Sequence, residues 1–146
     1  MIVVTIAAPA AAQQSEKAEL AAYRLTSDKL DRYAAANRSL AQVMKDHKND
    51  PDAAKSENDG DSISGAVRHL DKIAPAAAAI RSAGLTTREY VMTGFAILSS
   101  AMVVEFKRNG TIKEYPDTVN KANAEFVEQN YDKIKAIMAI LPDASK

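Results

Sequence analysis

Two asparagines fall inside the apolar stripes of predicted helices, and they are the residues best placed to meet a ligand. Asn37 lies midway along the first stripe and Asn130 midway along the last, with Tyr33, Tyr90 and Tyr131 nearby. A buried amide must find hydrogen-bond partners or it costs about 1–3 kcal/mol. Either the two amides bond each other and fix the helix register, which we favour, or the five residues line an inter-helix polar pocket for a small ligand.

No other spacing in the sequence indicates catalysis or metal binding. His47 and His69 have no second histidine or cysteine at helical spacing, and only Asp46 and Asp50 lie near His47. Ser99 and Ser100 stand in an apolar run without a G-x-S-x-G elbow, so we expect both to bond their own helix. We therefore predict no catalytic, cofactor-binding or metal residue, and an enzymatic activity is not the favoured interpretation.

A non-covalent haem held between His and Met is the sharpest cofactor alternative. The sequence places four methionines on predicted inner faces: Met44, Met92, Met102 and Met138. Methionine on an inner face more often fills a packing gap, so we predict no cofactor.

The amino-acid composition favours helices and does not indicate a charged partner. Lys plus Arg number 19 and Asp plus Glu number 19, so no basic excess is present to drive nucleic-acid binding. Aromatic residues make up only 5% of the chain and tryptophan is absent, whereas alanine is abundant. Cysteine is also absent, which excludes disulfides and thiolate chemistry.

The first residues resemble the end of a secretory signal peptide. An apolar run over residues 2–8 is followed by Pro9, and Ala10 and Ala12 occupy the −3 and −1 places of an A-x-A cleavage site before Gln13. The positively charged start of a signal peptide is missing, so we expect the true translation start to lie upstream. We predict a signal peptide over 1–12 and a single helical domain over 13–146, periplasmic or secreted and without a stable membrane span after processing.

Periodicity in the remaining chain predicts an antiparallel bundle of about four helices. Thr26 caps the first, Asp61 or Ser62 the second, Thr86 with Glu89 the third and Asn120 the last. A polar loop over 49–60 separates the first two helices and does not match the EF-hand spacing. Pro75 should restart the second helix near residue 73, and Gly84 should end it. Residues 15–25 extend the first helix backwards or pack separately.

The third helix is predicted to be the buried centre of the bundle. Residues 90–104 carry no charge and are apolar around most of the helix circumference. Such a run is shorter than the ~20 residues that cross a bilayer, so a core helix is favoured over a membrane span.

The strings AGLTTREYVMTGFAILSSAM and TVNKANAEFVEQNYDKIKAI carry a family resemblance. Over residues 25–140 the chain resembles a group of uncharacterised, signal-peptide-bearing, all-helical proteins of Gram-negative bacteria. The most specific parts are the turn at 83–90 and the segment 120–130. The resemblance implies export and a helical fold, and the group has no assigned activity to carry over.

Two classes of function follow from these patterns. The favoured one is an exported, soluble helical bundle that acts as a binding or interaction module for an unknown protein or small molecule. The alternative is a periplasmic bundle that binds a haem-type cofactor or a small ligand. A contiguous exposed apolar patch would favour the first, and an enclosed polar pocket around Asn37 and Asn130 would favour the second.

Overall fold

A computed structural model describes residues 8–47 and 62–141, and every regular element in these two ranges is an α-helix. The helices are α1 (Ala8–Ala22), α2 (Ser27–Asp46), α3 (Ile63–Lys72), α4 (Ala74–Ser82), α5 (Thr87–Arg108), α6 (Lys121–Gln129) and α7 (Tyr131–Met138). The all-α class is confirmed. The predicted loop over 49–60 and residues 1–7 of the predicted signal peptide lie outside the described residues.

Seven helices replace the predicted four because two predicted helices are broken and a further helix precedes Thr26. Pro75 lies in the first turn of α4, where its missing N–H is tolerated, and it separates α3 from α4 as predicted. Asn130 divides the predicted last helix into α6 and α7, and its side-chain amide donates to the Phe126 carbonyl oxygen at 2.8 Å. The backbone N–H of Asn130 donates to the same carbonyl oxygen at 3.1 Å, so this carbonyl accepts from both groups of Asn130.

The predicted N-caps and the predicted stop at Gly84 are confirmed at the residue level. The side chains of Thr26, Ser62 and Asn120 each accept a hydrogen bond from a backbone N–H in the first turn that follows. Thr86 and Glu89 form the predicted capping box. Gly84 follows the end of α4 with φ of 83°, a left-handed conformation that glycine adopts without strain.

Helix α5 is the axis around which the other helices pack. It runs antiparallel to α2. Asn37 of α2 contacts Tyr90, whereas Tyr33, which lies one turn earlier in α2, contacts Gly94, which lies one turn later in α5. It also runs antiparallel to α3, which begins beside Phe95 and ends at a bond from Thr87 to Asp71. Helix α6 instead runs in the same sense as α5. Its first turn shares a cavity with Ser100, and its last turn reaches Lys107.

Two hydrophobic clusters form the core, and Tyr33 packs against both of them. One packs the first half of α2 against the second half of α5 and both final helices, with Leu30, Ile97, Val127 and Ile134 almost fully buried. The other packs the second half of α2 against α3, α4 and the first half of α5, around Ile80 and Met92. Because α2 and α5 contribute to both clusters, they join the two halves of the molecule.

Two asparagines of α6 hold the connection between α1 and α2. Asn123, only 2% exposed, accepts from the Leu25 N–H at 2.9 Å and donates to the Tyr23 carbonyl at 2.7 Å. Asn120 donates to the carbonyls of Ala21 and Tyr23 at 2.8 and 3.0 Å. We call this group the asparagine clamp; it satisfies backbone groups that the break between α1 and α2 leaves without helical partners.

Candidate functional site

The structure brings together three of the five residues of the predicted polar pocket. The Tyr90 hydroxyl donates to the Asn37 side-chain oxygen at 2.7 Å, and the Tyr33 and Tyr90 rings stack with centroids 4.9 Å apart. Burial raises the pKa of Tyr90 and of Tyr33, and for Tyr33 hydrogen bonds with Asn37 and Tyr90 partly oppose the rise. Both phenols are therefore neutral hydrogen-bonding groups at physiological pH.

Close packing surrounds this trio. A Cβ atom placed on Gly94 would lie 3.1 Å from the Tyr33 hydroxyl oxygen, so the glycine is what lets the tyrosine lie flat against α5. Asn37 is 1% exposed and its side-chain oxygen is already bonded, so the trio forms a hydrogen-bonded contact between α2 and α5. The Asn37 amide of α2 thus pairs with Tyr90 of α5. The predicted partner, Asn130, lies between α6 and α7.

The other two residues of the predicted pocket lie elsewhere. Asn130 is the junction between α6 and α7, where its side chain bonds Phe126. The Tyr131 ring lies under the Arg108 guanidinium, whose central carbon is 4.1 Å from the ring centroid. The contact with Arg108 ties the start of α7 to the end of α5, and neither Asn130 nor Tyr131 bonds Asn37.

The predicted inner placement of the methionines is wrong for three of the four. Met92 is 1% exposed, whereas Met44, Met102 and Met138 are 45%, 59% and 41% exposed. Exposed thioethers cannot supply an axial ligand inside the bundle, which removes the main support for the haem alternative. Within 8–47 and 62–141, no three His, Cys, Asp or Glu side chains come close enough to hold a metal ion.

A cavity of about 310 Å³ opens between α1, α5 and the connection from α5 to α6. Its lining consists of Lys17, Leu20, Ala21, Ala96, Ser99, Ser100, Thr118, Val119, Asn120 and Asn123. Sequence reasoning missed this cavity, because its walls come from three segments that are distant along the chain. Nothing in the spacing of these residues signals that they meet.

The two serines of this cavity differ, and only one behaves as predicted. Ser99 donates to the Phe95 carbonyl of its own helix at 2.9 Å. Ser100 is 2% exposed and makes no side-chain hydrogen bond to another described residue, but its hydroxyl is open to the cavity, because no fully buried side-chain polar atom in the described part of the chain lacks a partner. The expectation that both serines bond their own helix is therefore wrong for Ser100.

The second half of α5 leaves an apolar stripe open to solvent. Leu98, Met102 and Phe106 recur every four residues on one helix face and are 54%, 59% and 41% exposed. We call these three residues the α5 stripe. The predicted burial of this helix on most of its circumference holds for the first half, where α3 covers the face, and is wrong for the second half.

Among the described helices, α5 alone is long and apolar enough to cross a membrane. An 18-residue stretch of it has a mean hydropathy of 1.3. The central helix of a globular core passes the same test of length and composition. Here α5 packs against α1, α2, α3, α4 and α6.

Comparisons with protein-family models, with curated proteins and with solved structures found no match for this chain.

Proposed function

We propose that this chain is an exported helical interaction module that binds an amphipathic helix of a partner protein along the α5 stripe. The observation that carries the proposal is the exposure of Leu98, Met102 and Phe106 on a single helix face. Isolated exposed apolar residues are ordinary on protein surfaces, but an aligned row is typical of a contact surface. Row spacing of this kind matches the way an amphipathic helix presents its anchors.

The way α3 packs supports a helix as the ligand of the stripe. Along the first half of α5, Ile63 of α3 packs in the same cluster as Val91 and Phe95. These two α5 residues lie on the face that continues through Leu98 and Met102 one and two turns later. Helix α3 begins at the level of Phe95, so a partner helix would extend the line of α3 along α5.

Among the described residues, Leu98, Met102 and Phe106 keep 54%, 59% and 41% of their surface open to solvent. Residues 49–60 precede α3 and contain no apolar residue larger than alanine. One edge of the stripe carries Glu105, which is exposed and has no hydrogen-bond partner among the described side chains. A partner helix with apolar residues at i, i+4 and i+7 and a basic residue beside them fits this edge.

Export is the second part of the proposal and rests on the A-x-A pattern before Gln13. Cleavage at that point would leave the described side-chain contacts of α1 in the mature protein. Glu16 accepts from the backbone N–H groups of Ile63 and Ser64, and Glu19 pairs with Arg88. Intact mass measurement of protein from the periplasmic fraction tests this, and a chain that retains residues 1–12 would contradict it.

Site-specific photo-cross-linking in the exporting cell tests the stripe. A photoreactive amino acid at Met102 is expected to give one discrete adduct, whose cross-linked peptide maps to an amphipathic helix. The matched control is the same amino acid at Met44, an exposed methionine on α2. Leu98→Ser with Phe106→Ser should abolish the Met102 adduct without unfolding the protein, because both side chains are already about half exposed.

Three results would contradict the proposal. An adduct formed only with a second copy of the chain would make the stripe a self-association surface. Adducts that are identical at Met102 and Met44 would show random collision, and adducts that survive the two serine substitutions would place the contact elsewhere. A synthetic peptide of the mapped helix, titrated onto the purified protein, should bind the unmodified chain and not the double variant.

A further inference from the structure

Helix α1 lies on the outside of the molecule and contributes little to the core. Among residues 12–22, whose side chains the structure describes, none is buried, and only Glu16 and Leu20 are half-buried. Leu20 is the one residue of this range that is both apolar and larger than alanine, and it packs against both hydrophobic clusters. None of the buried residues that form these clusters belongs to α1, so the core is complete without this helix.

The other described contacts of α1 are polar and lie near solvent. The Glu16 carboxylate accepts from the first turn of α3, and Glu19 pairs with Arg88 of α5. At the carboxyl end of α1, Asn120 of the asparagine clamp donates to the Ala21 carbonyl. Water can take the place of each partner once α1 separates, so these contacts open at low cost in free energy.

Clefts flank α1 on two sides. One, of about 260 Å³, lies between α1 and the start of α3, where Gln13, Ser62 and Phe95 are among its lining residues. The other is the cavity of about 310 Å³ between α1, α5 and the connection to α6. Leu20 lines both. Helix α1 therefore lies in a groove that it does not fill.

The groove under α1 has a shape that accepts a helix. Its floor is the face of α5 that carries Ala96, Ser99 and Ser100. Ile63 of α3 stands on one side, and Val119 of the α5–α6 connection stands on the other. Small side chains on the floor allow a second helix to approach α5 closely, as α1 itself does.

This groove borders the α5 stripe. Phe95 lines one cleft and precedes Leu98 by three residues, and Ser99 lines the other and precedes Met102 by three residues. Residues three or four positions apart are neighbours on a helix surface. Removal of α1 therefore joins the groove and the stripe into one longer surface along α5.

The stripe alone is short for a specific contact. From Leu98 to Phe106 it follows α5 for about two turns, or ~12 Å. A standard protein interface takes about 800 Å² from each partner, which is more than three half-exposed side chains provide. The groove supplies the missing area, but only when α1 has moved out of it.

We propose that α1 is a latch, which occupies a groove that the partner helix enters after α1 is displaced. In its closed position the latch confines the partner to the α5 stripe and weakens binding. This inference rests on the proposed function of the stripe and adds the regulation of that site.

The first test follows the latch in the purified full chain without a partner. Glu16→Gln combined with Glu19→Gln weakens the contacts of α1 with α3 and α5. This variant should exchange the amide hydrogens of residues 12–22 several-fold faster and should bind more anilinonaphthalene sulfonate, a dye that detects exposed apolar surface. Glu114→Gln combined with Glu125→Gln removes two exposed carboxylates away from α1, and this matched control should behave as the unmodified chain.

A covalent lock tests the opening in the opposite direction. Lys17 and Ser99 are exposed and line the same cavity, and the chain contains no cysteine of its own. Lys17→Cys with Ser99→Cys, joined by a short bismaleimide, should return dye binding of the Glu16→Gln, Glu19→Gln variant to the level of the unmodified chain. The same two cysteines capped separately with N-ethylmaleimide are the control and should leave the added dye binding in place.

Photo-cross-linking from Met102 in the exporting cell relates the latch to the partner. The adduct yield should rise several-fold in the Glu16→Gln, Glu19→Gln variant and stay unchanged in the Glu114→Gln, Glu125→Gln control. Adducts that form with equal yield in all of these proteins would leave the proposed function standing and overturn the latch. The absence of adducts from every variant would contradict the proposed function itself, and the partner's use of the groove with it.

Two results on the purified protein would also overturn the latch. Unchanged amide exchange in residues 12–22 would show that the two carboxylates do not hold α1 in place. Faster exchange without added dye binding would show that the groove stays closed when α1 loosens.

Discussion

At the residue scale, the buried side chains of Asn37 and Thr87 each form a hydrogen bond with a side chain of another helix. The bond between Tyr90 and Asn37 joins α5 to α2 at the boundary between the two hydrophobic clusters. Both groups are buried, so removing one of them leaves the other without a partner. Single and double substitutions of Asn37 and Tyr90 can therefore measure the coupling between the two side chains.

We expect Asn37→Leu to lower the free energy of unfolding by about 1–3 kcal/mol, because the Tyr90 hydroxyl loses its acceptor. Tyr90→Phe should also destabilise the protein, and the double variant should be less destabilised than the sum of the two single changes. Urea unfolding of the four proteins gives the coupling. A single Asn37→Leu variant that melts at a higher temperature and remains well ordered would show that the amide does not specify the register.

At the element scale, the break between α1 and α2 is stable because α6 supplies the missing hydrogen bonds. The asparagine clamp bonds Ala21, Tyr23 and Leu25, which lie about a hundred positions earlier in the chain. Helix α1 is fixed at a second place, where the Glu16 carboxylate meets the first backbone N–H groups of α3. Helix α1 is therefore held at its carboxyl end by the asparagine clamp and near its middle by the first turn of α3.

Asn123→Ala is expected to cost about 1–3 kcal/mol and to raise hydrogen exchange selectively in residues 12–26, since the Leu25 N–H loses its acceptor and the Tyr23 carbonyl keeps only Asn120. The informative companion is Asn120→Asp. Aspartate keeps the acceptor that caps α6 but lacks the amide hydrogens that reach Ala21 and Tyr23. Exchange in α1 should therefore rise while α6 stays protected. Equal loss of protection in α1 and α6 would mean that Asn120 acts only as a cap.

At the scale of the whole molecule, two of the contacts between α1 and the rest of the protein use ionised carboxylates. The hydrogen bond from the Ser64 side chain, aided by two backbone N–H groups, holds the pKa of Glu16 below its usual 4.5. The bond from Arg88 lowers the pKa of Glu19 in the same way. Because these pKa values are lower in the folded than in the unfolded protein, both groups stabilise the fold above about pH 4.5.

Stability should accordingly fall as the pH drops through the folded pKa values of these groups, and α1 should detach first. Urea unfolding between about pH 6 and pH 3 measures the loss, with amide exchange locating it. Glu16→Gln should be less stable near neutral pH and should lose less on acidification. Glu105→Gln, at an exposed carboxylate without a described partner, is the control and should follow the unmodified chain. Identical acid profiles for Glu16→Gln and the unmodified chain would exclude Glu16 as a source of the effect.

The sequence by itself determined the local features of this protein, because they depend on neighbouring residues. The caps at Thr26, Thr86 and Asn120, the restart at Pro75 and the turn at Gly84 follow from bonds and backbone angles within a few residues. The helical class follows from the same local preferences. The break at Asn130 was not foreseen, since an asparagine on an apolar stripe fits a continuous helix as well as a junction.

Only the tertiary structure decided which side chains meet, because hydrophobic periodicity gives the face of a helix and not the neighbour opposite it. The pairing of Asn37 with Tyr90 depends on α2 lying antiparallel to α5. The open α5 stripe follows from where α3 begins, and the cavity at Ser100 from three segments converging on α5. The stripe and the cavity therefore arise from packing between distant parts of the chain, which the order of residues alone does not reveal.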